Sequence, residues 1–264
     1  MLVALLVALN ALLLAAAIPM AVNLIRIKRS KERAGRGSGR WPIPRVPVEQ
    51  LDAIFAPNEF GPTLATEVAL VCRGTMHVQG GTSDFEAWIL AVLAKRSALM
   101  FEFGTCTGKT AYLWARNLPP GGRVVTLTLG PEQLSQYREG AGDSALATQW
   151  AREESTFTRF LYTGTDVEER ITQLFGDSKA FDETPYVGRC DVVFVDGSHA
   201  HSYVVSDTAK ALRMVRPGGI VLWHDYSGPS GAVDVFRALN ELARTLPLVH
   251  IAGTTLVAYR QPAG

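Results

Sequence analysis

The 264-residue sequence predicts an α/β fold: a doubly wound, mostly parallel seven-stranded sheet whose last strand runs antiparallel, preceded by a membrane-spanning helix. Three observations predict it. From Thr82 onward, short apolar runs alternate with amphipathic stretches. Parallel strands need crossover helices, so this alternation means a sheet covered on both faces. The last two apolar runs are separated only by Ala252-Gly253, which is too short for a crossover and makes them an antiparallel pair. The chain also opens with an uncharged run from Leu2 to Ile25, rich in Leu, Val and Ala.

As a helix that run is about 36 Å long, enough to cross a hydrocarbon core of about 30 Å. Seven basic residues follow it, Arg26, Lys28, Arg29, Lys31, Arg33, Arg36 and Arg40, against the single acid Glu32. No Lys or Arg precedes the run, so the positive-inside rule puts the start of the chain outside and the rest in the cytoplasm. A cleaved signal peptide is the competing reading, with Ala15-Ala16-Ala17 as a cleavage site. The basic n-region is missing, however, and the run is long for an h-region, which favours a single-pass anchor.

Four segments result. Residues 1–25 are the anchor, and 26–47 are a basic juxtamembrane segment and a linker stiffened by Pro42, Pro44 and Pro47. Residues 48–81 are an N-terminal cap region with no assigned chemistry, and 82–264 are the main domain. The whole chain carries 26 Lys and Arg against 25 Asp and Glu. With the basic segment set aside the remainder is mildly acidic, which argues against a nucleic-acid partner. Cys72, Cys106 and Cys190 are too widely spaced for a zinc site or a disulfide frame and fit the thiols of a reducing compartment.

Within the main domain, Thr82 or Ser83 caps a helix with Phe85, Ile89, Leu90 and Leu93 on one face, ending near Lys95. Strands are expected at 98–103, 123–129, 171–175, 190–195, 219–223, 247–251 and 254–259. Helices are expected at 108–117, 131–138, 146–160, 201–215 and 231–245. A ligand belongs at the carboxyl ends of the central strands.

Four segments carry chemistry. In the run Phe101–Thr110, Glu102 ends a strand and Gly104 permits a sharp turn. Gly108 then opens a helix whose free N–H groups can face a carboxylate or phosphate. Alone, this pattern describes a structural turn as well as a cofactor loop. Arg170–Ser178 ends in Gly176-Asp177-Ser178, and Cys190–Tyr203 is a buried strand ending in Asp196-Gly197-Ser198-His199. In Val215–Gly228, Pro217-Gly218-Gly219 ends a helix and starts a strand that finishes at His224-Asp225.

The succession Glu-Phe-Gly-Thr, Gly-Asp-Ser, Val-Phe-Val-Asp-Gly-Ser-His, Arg-Pro-Gly-Gly and Trp-His-Asp-Tyr resembles the class I methyltransferases, which have a Rossmann-like fold and use S-adenosylmethionine (SAM). The similarity is to their small-molecule O-methyltransferase-like branch with an Asp-Gly-x-His motif, and it spans roughly Thr82 to Arg260. It implies that Glu102, Gly104, Thr105 and Gly108 line the methionine and ribose part of SAM. Asp177 and Ser178 would then hold the adenine edge, and Asp196 the mouth of the site. One position departs from the family. The second strand usually ends in an acid that grips the ribose hydroxyls, and here Thr128 stands there. A neutral partner is weaker by about 1 kcal/mol, unless Glu132 substitutes.

An oxygen acceptor must lose its proton. Asp196 and Asp225 converge at neighbouring strand ends and suit a hard cation such as Mg2+, with His224 as a third ligand or a second base. His199 is the general-base candidate because it shares a loop with Asp196. The bland counterparts are an Asp196 that only hydrogen-bonds, an Asp225 that caps a helix and a satisfied, buried His224. Trp223 and Tyr226 either wall the acceptor pocket or belong to the core. The function expected is methylation of a small-molecule hydroxyl on a sugar, lipid-linked or secondary-metabolite acceptor at the cytoplasmic membrane face. Its alternative is a decayed fold acting as a membrane-tethered binding or scaffold protein, kept open by Thr128. A nicotinamide dehydrogenase is disfavoured, because the first loop lacks Gly-x-Gly-x-x-Gly spacing.

Overall fold

The structure is a computed structural model and describes residues 41–56 and 82–264. The expected membrane helix, the basic segment at 26–40 and positions 57–81 of the expected cap lie outside the described residues. Among the described residues no helix is long and apolar enough to cross a membrane. The chain divides after Pro42, and the architecture below is that of Ile43–Gly264.

Eight strands form one sheet: β1 (Arg45–Val46), β2 (Leu99–Phe103), β3 (Arg123–Thr128), β4 (Ile171–Phe175), β5 (Cys190–Val195), β6 (Val215–Trp223), β7 (Val249–Ile251) and β8 (Val257–Arg260). Their order across the sheet is β1-β7-β8-β6-β5-β2-β3-β4. From β6 through β4 all neighbours are parallel, whereas β8 runs antiparallel to both β6 and β7. The helices among the described residues are α1 (Asp84–Ala94), α2 (Lys109–Asn117), α3 (Ala145–Glu154), α4 (His201–Met214) and α5 (Val233–Leu242).

The eighth strand corrects the expected count of seven, and it lies where a linker was expected. Ile43 is buried, the Pro44 carbonyl accepts from the His250 amide at 2.8 Å, and Arg45–Val46 pair in parallel with β7. Proline's missing N–H and fixed φ suggested a linker, but both also suit a strand at the edge of a sheet. Two single 3-10 turns follow, at Val48–Gln50 and Ala53–Phe55. They press Val48, Leu51 and Phe55 into the same core as Ile89 and Leu93 of α1. This part of the expected cap is therefore core.

Helix α1 starts as its sequence dictates. Ser83 Oγ accepts from the Glu86 amide at 3.2 Å while Glu86 Oε2 accepts from the Ser83 amide at 2.9 Å, a reciprocal capping box. The expected helix at 131–138 is instead a 3-10 segment, Pro131–Gln136, and the one expected at 146–160 spans only Ala145–Glu154. A further correction concerns Arg216-Pro217-Gly218-Gly219, which lies inside β6 rather than before it. The register against β5 shifts between Cys190 and Val192, and this irregularity accommodates a proline that cannot donate to the ladder.

Alternate residues of the central strands face opposite ways. Met100, Val124, Val192, Phe194, Ile220 and Leu222 pack with α1 and α2, where Trp114 is fully buried. Trp223 is buried on the side of α4, its Nε1–H donating to Thr208 Oγ1 at 2.8 Å, and Tyr226 is buried with its hydroxyl donating to Asn240 Oδ1 at 2.6 Å. Both aromatics thus belong to the core and not to an acceptor pocket. The strand order reverses between β2 and β5, so the loops leaving these two strands part and open a crevice at their carboxyl ends.

Candidate active site

A cleft occupies this crevice, open to solvent and walled by the loops that leave the central strands. Its wall is built loop by loop. Gly104 and Cys106 come from the loop after β2, Thr128 and Leu129 follow β3, and Gly176, Asp177 and Ser178 follow β4. Asp196, Gly197 and Ser198 follow β5. Above them, α3 contributes Ala151 and Glu154, and Tyr137 stacks on Tyr203 with ring centroids 4.6 Å apart. Gly104, Thr128, Asp177, Ser178 and Asp196 are therefore gathered as the sequence predicts. The acids Glu154, Asp177, Asp196 and Asp207 line this cleft, and among the described residues no Lys or Arg does.

Gly104 is where the two central loops meet. Its φ is +99°, and a Cβ there would stand 2.0 Å from the carbonyl oxygen of Asp196. Only a residue without a side chain lets the two backbones approach so closely.

Three predicted cofactor residues are placed differently. Glu102 is 1% exposed and sits beneath the loop, where its Oε2 accepts from Thr126 Oγ1 at 2.6 Å. Thr105 is also buried, sharing a hydroxyl hydrogen bond of 2.7 Å with Thr126 and accepting from Gln173 Nε2 at 3.1 Å. Gly108 caps α2 in the left-handed region, but its N–H donates to the Thr105 carbonyl at 2.7 Å, and Phe160 and Tyr162 cover the place a Cβ would take. The Gly108 N–H itself is spent inside the loop. In each case the strand-to-helix motif was legible but not the direction of each group, because a tight turn sends alternate residues inward.

Burial pushes the Glu102 carboxyl up to about 8, against the opposing hydrogen bond from Thr126. Between its ordinary value of 4.5 and about 8 the folded chain holds a proton that the unfolded chain has lost, so stability falls as pH rises through that window. Glu102→Gln is isosteric and cannot ionise. Its Tm should gain on the wild type by roughly 10 °C or more as pH rises across the window. A constant difference between the two melting curves would contradict the assignment.

Behind Asp196 lies a cluster of two carboxylates and two imidazoles. His224 Nδ1 stands 3.1 Å from Asp196 Oδ1 and 3.3 Å from Asp225 Oδ2, and His199 Nε2 stands 2.8 Å from the same Asp225 oxygen. Asp225 itself has φ +60°, a strained conformation for a residue with a side chain. Burial works to raise the Asp225 pKa, but His224 and His199 outweigh it and hold the carboxyl well below the usual carboxylate range. For Asp196 burial wins over His224, and its carboxyl is raised. Burial disfavours a charged ring at His224 and His199 alike, yet the surrounding carboxylates hold both pKa values above the ordinary one, His224 far above. His199 Nδ1 is buried and has no hydrogen-bond partner among the described residues. The ligand atoms of Asp196, His224 and Asp225 all lie within 4.8 Å of one another.

Sequence reasoning missed three neighbours of this cluster. Glu86 Oε2 lies 3.6 Å from His224 Nε2, too long for a hydrogen bond but close enough for charge attraction. Its Oε1 accepts from both the amide and the hydroxyl of Thr255. The Ser-x-x-Glu spacing that places Glu86 signals a helix start and nothing about a site 138 positions on. Trp150 sets its ring edge-on to His199 with centroids 5.1 Å apart, and Glu154 lines the cleft one turn later. Both sat in an expected helix with no motif to mark them.

Residues 101–226, which supply every cleft loop named above, match the family described as "Methyltransferase domain". This segment is a methyltransferase domain. No curated protein matches the sequence. Among solved structures, the chain is similar to cofactor-bound Rv0187 from MTB, at 20% identity over 71% of this chain and 84% of that one, with a TM-score of 0.49. It is also similar to the O-methyltransferase TomG from Streptomyces achromogenes in complex with SAM, at 20% identity over 70% and 82%, with a TM-score of 0.46. A third is the O-methyltransferase from Bacillus cereus in complex with SAH, at 17% identity over 70% and 84%, with a TM-score of 0.45. The methyltransferase domain thus has its cleft at the crevice and its histidine-carboxylate cluster directly behind Asp196.

Proposed function

We propose that the protein is a SAM-dependent O-methyltransferase acting on a small-molecule hydroxyl. The observation that carries this reading is the His199–Asp225 pair, with His199 Nδ1 left buried and unpartnered behind a cleft that the methyltransferase domain encloses. The cleft suits the cofactor on chemical grounds, because its acidic lining without Lys or Arg complements a sulfonium and an ammonium group. When bound, SAM supplies an electrophilic methyl group.

The residues of the chain do the remainder. Asp177 and Ser178 hold the adenine edge, Thr128 meets a ribose hydroxyl, and the loop at Gly104 lets the cofactor lie against the backbone. Asp196 orients the acceptor hydroxyl. His199 takes its proton at Nδ1 while Asp225 accepts the Nε2–H and stabilises the resulting imidazolium. Held by these residues, SAM would supply the methyl group that replaces the proton on the acceptor oxygen and would itself become a neutral thioether. In-line alignment of the two reactants supplies most of the acceleration.

A divalent cation such as Mg2+ would be held by the carboxylates of Asp196 and Asp225, with His224 as a nitrogen ligand, and would lower the pKa of the acceptor hydroxyl. Since His224 is held in its charged form, it must shed a proton before it ligates. The uncharged run 2–25 and the basic residues after it support a location at the cytoplasmic face of a membrane, and with it a membrane-proximal acceptor. No feature of the described residues favours the scaffold alternative.

Calorimetric titration of the full chain with SAM, in the presence and absence of chelator, tests the reading. Saturable heat in the micromolar range is expected. No heat at millimolar cofactor would overturn it, and binding unaffected by chelator would confine any metal to the acceptor step.

A further inference from the structure

The last turn of α3 closes over the cleft, and one face of it carries two side chains that no step above uses. Trp150 touches His199, and Glu154, four residues on and hence on the same face, lines the cleft beside Cys106 and Asp196. Glu154 makes no hydrogen bond through its carboxylate among the described residues, and no Lys or Arg shares the lining. Its neighbour Glu153 is different, being exposed and accepting from Gln149 Nε2 at 2.9 Å. Burial pushes the Glu154 carboxyl up to about 7, with Asp196 and Asp225 acting in the same direction against His199. It stands in the cleft wall with Cys106 and Asp196, where a methyl donor and its acceptor would meet, and the cationic group beside it is the His199 ring.

We propose that Glu154 faces the positive centre of the bound methyl donor and makes the cleft prefer the sulfonium over its neutral thioether product. This rests on the SAM reading above. A carboxylate in a partly desolvated cleft attracts a cation at contact distance strongly enough for about a tenfold preference. The attraction ends when the methyl group leaves and the sulfur loses its charge, so Glu154 also favours release of the spent cofactor.

The test is titration of the full chain with SAM and, separately, with S-adenosylhomocysteine, in the wild type, Glu154→Gln and Glu153→Gln. Glu154→Gln should lower the ratio of SAM to S-adenosylhomocysteine affinity by about tenfold, mostly through weaker SAM binding, and Glu153→Gln should leave the ratio unchanged. Equal weakening of both ligands by Glu154→Gln would place the residue against the shared ammonium or ribose and overturn the proposal. An equal effect from Glu153→Gln would reduce it to net charge and also overturn it. If the wild type bound neither ligand, the SAM reading itself would fail, an outcome distinct from an unchanged ratio.

Discussion

Gly104→Ala should destroy the cofactor cleft and destabilise the domain by about 3 kcal/mol or more. Two independent costs add at this position. A left-handed φ of +99° is unfavourable for any residue with a Cβ, and that Cβ would meet the Asp196 carbonyl oxygen at 2.0 Å. The neighbouring backbone cannot yield cheaply, because the Asp196 amide donates to the Phe103 carbonyl at 2.9 Å and so ties the two loops together. The variant should melt about 6–12 °C lower than the wild type and bind no SAM in the millimolar range. A variant that kept both its Tm and its cofactor affinity would mean that the two loops are not in contact at this point.

Asp196→Ala should have the opposite profile, with chemistry lost and fold retained. The side chain faces the cleft and pairs with His224, but Asp225 contacts both His224 and His199, so the cluster keeps a carboxylate. Transfer from SAM to a panel of small hydroxyl compounds should fall by about 10²-fold or more. Tm and SAM affinity should change little. Retention of most of the activity would remove Asp196 from the mechanism. Loss of Tm in parallel with activity would make its role structural.

The order of strands and helices in the main domain was legible because burial on both sheet faces writes uninterrupted apolar runs such as Val192–Val195. The gathering of Gly104, Thr128, Asp177 and Asp196 followed from topology, since parallel strands deliver all their carboxyl ends to one edge. Three things escaped. The strand at Arg45–Val46 is two residues long and flanked by prolines, too short to show a period. The inward turn of Glu102 and Thr105 depends on backbone direction within one tight loop. Contacts of Glu86, Trp150 and Glu154 join segments far apart in sequence, and no local pattern records such partners.

The position of β8 gives a four-residue strand an architectural weight out of proportion to its length. Val257–Arg260 lie in the interior of the sheet, between β6 and β7. The Glu86–Thr255 bonds bridge 169 positions to the same hairpin. Until β8 docks, β6 exposes an open edge and Glu86 lacks one of its ties. The histidine-carboxylate cluster is thus braced by a hairpin remote from it in sequence.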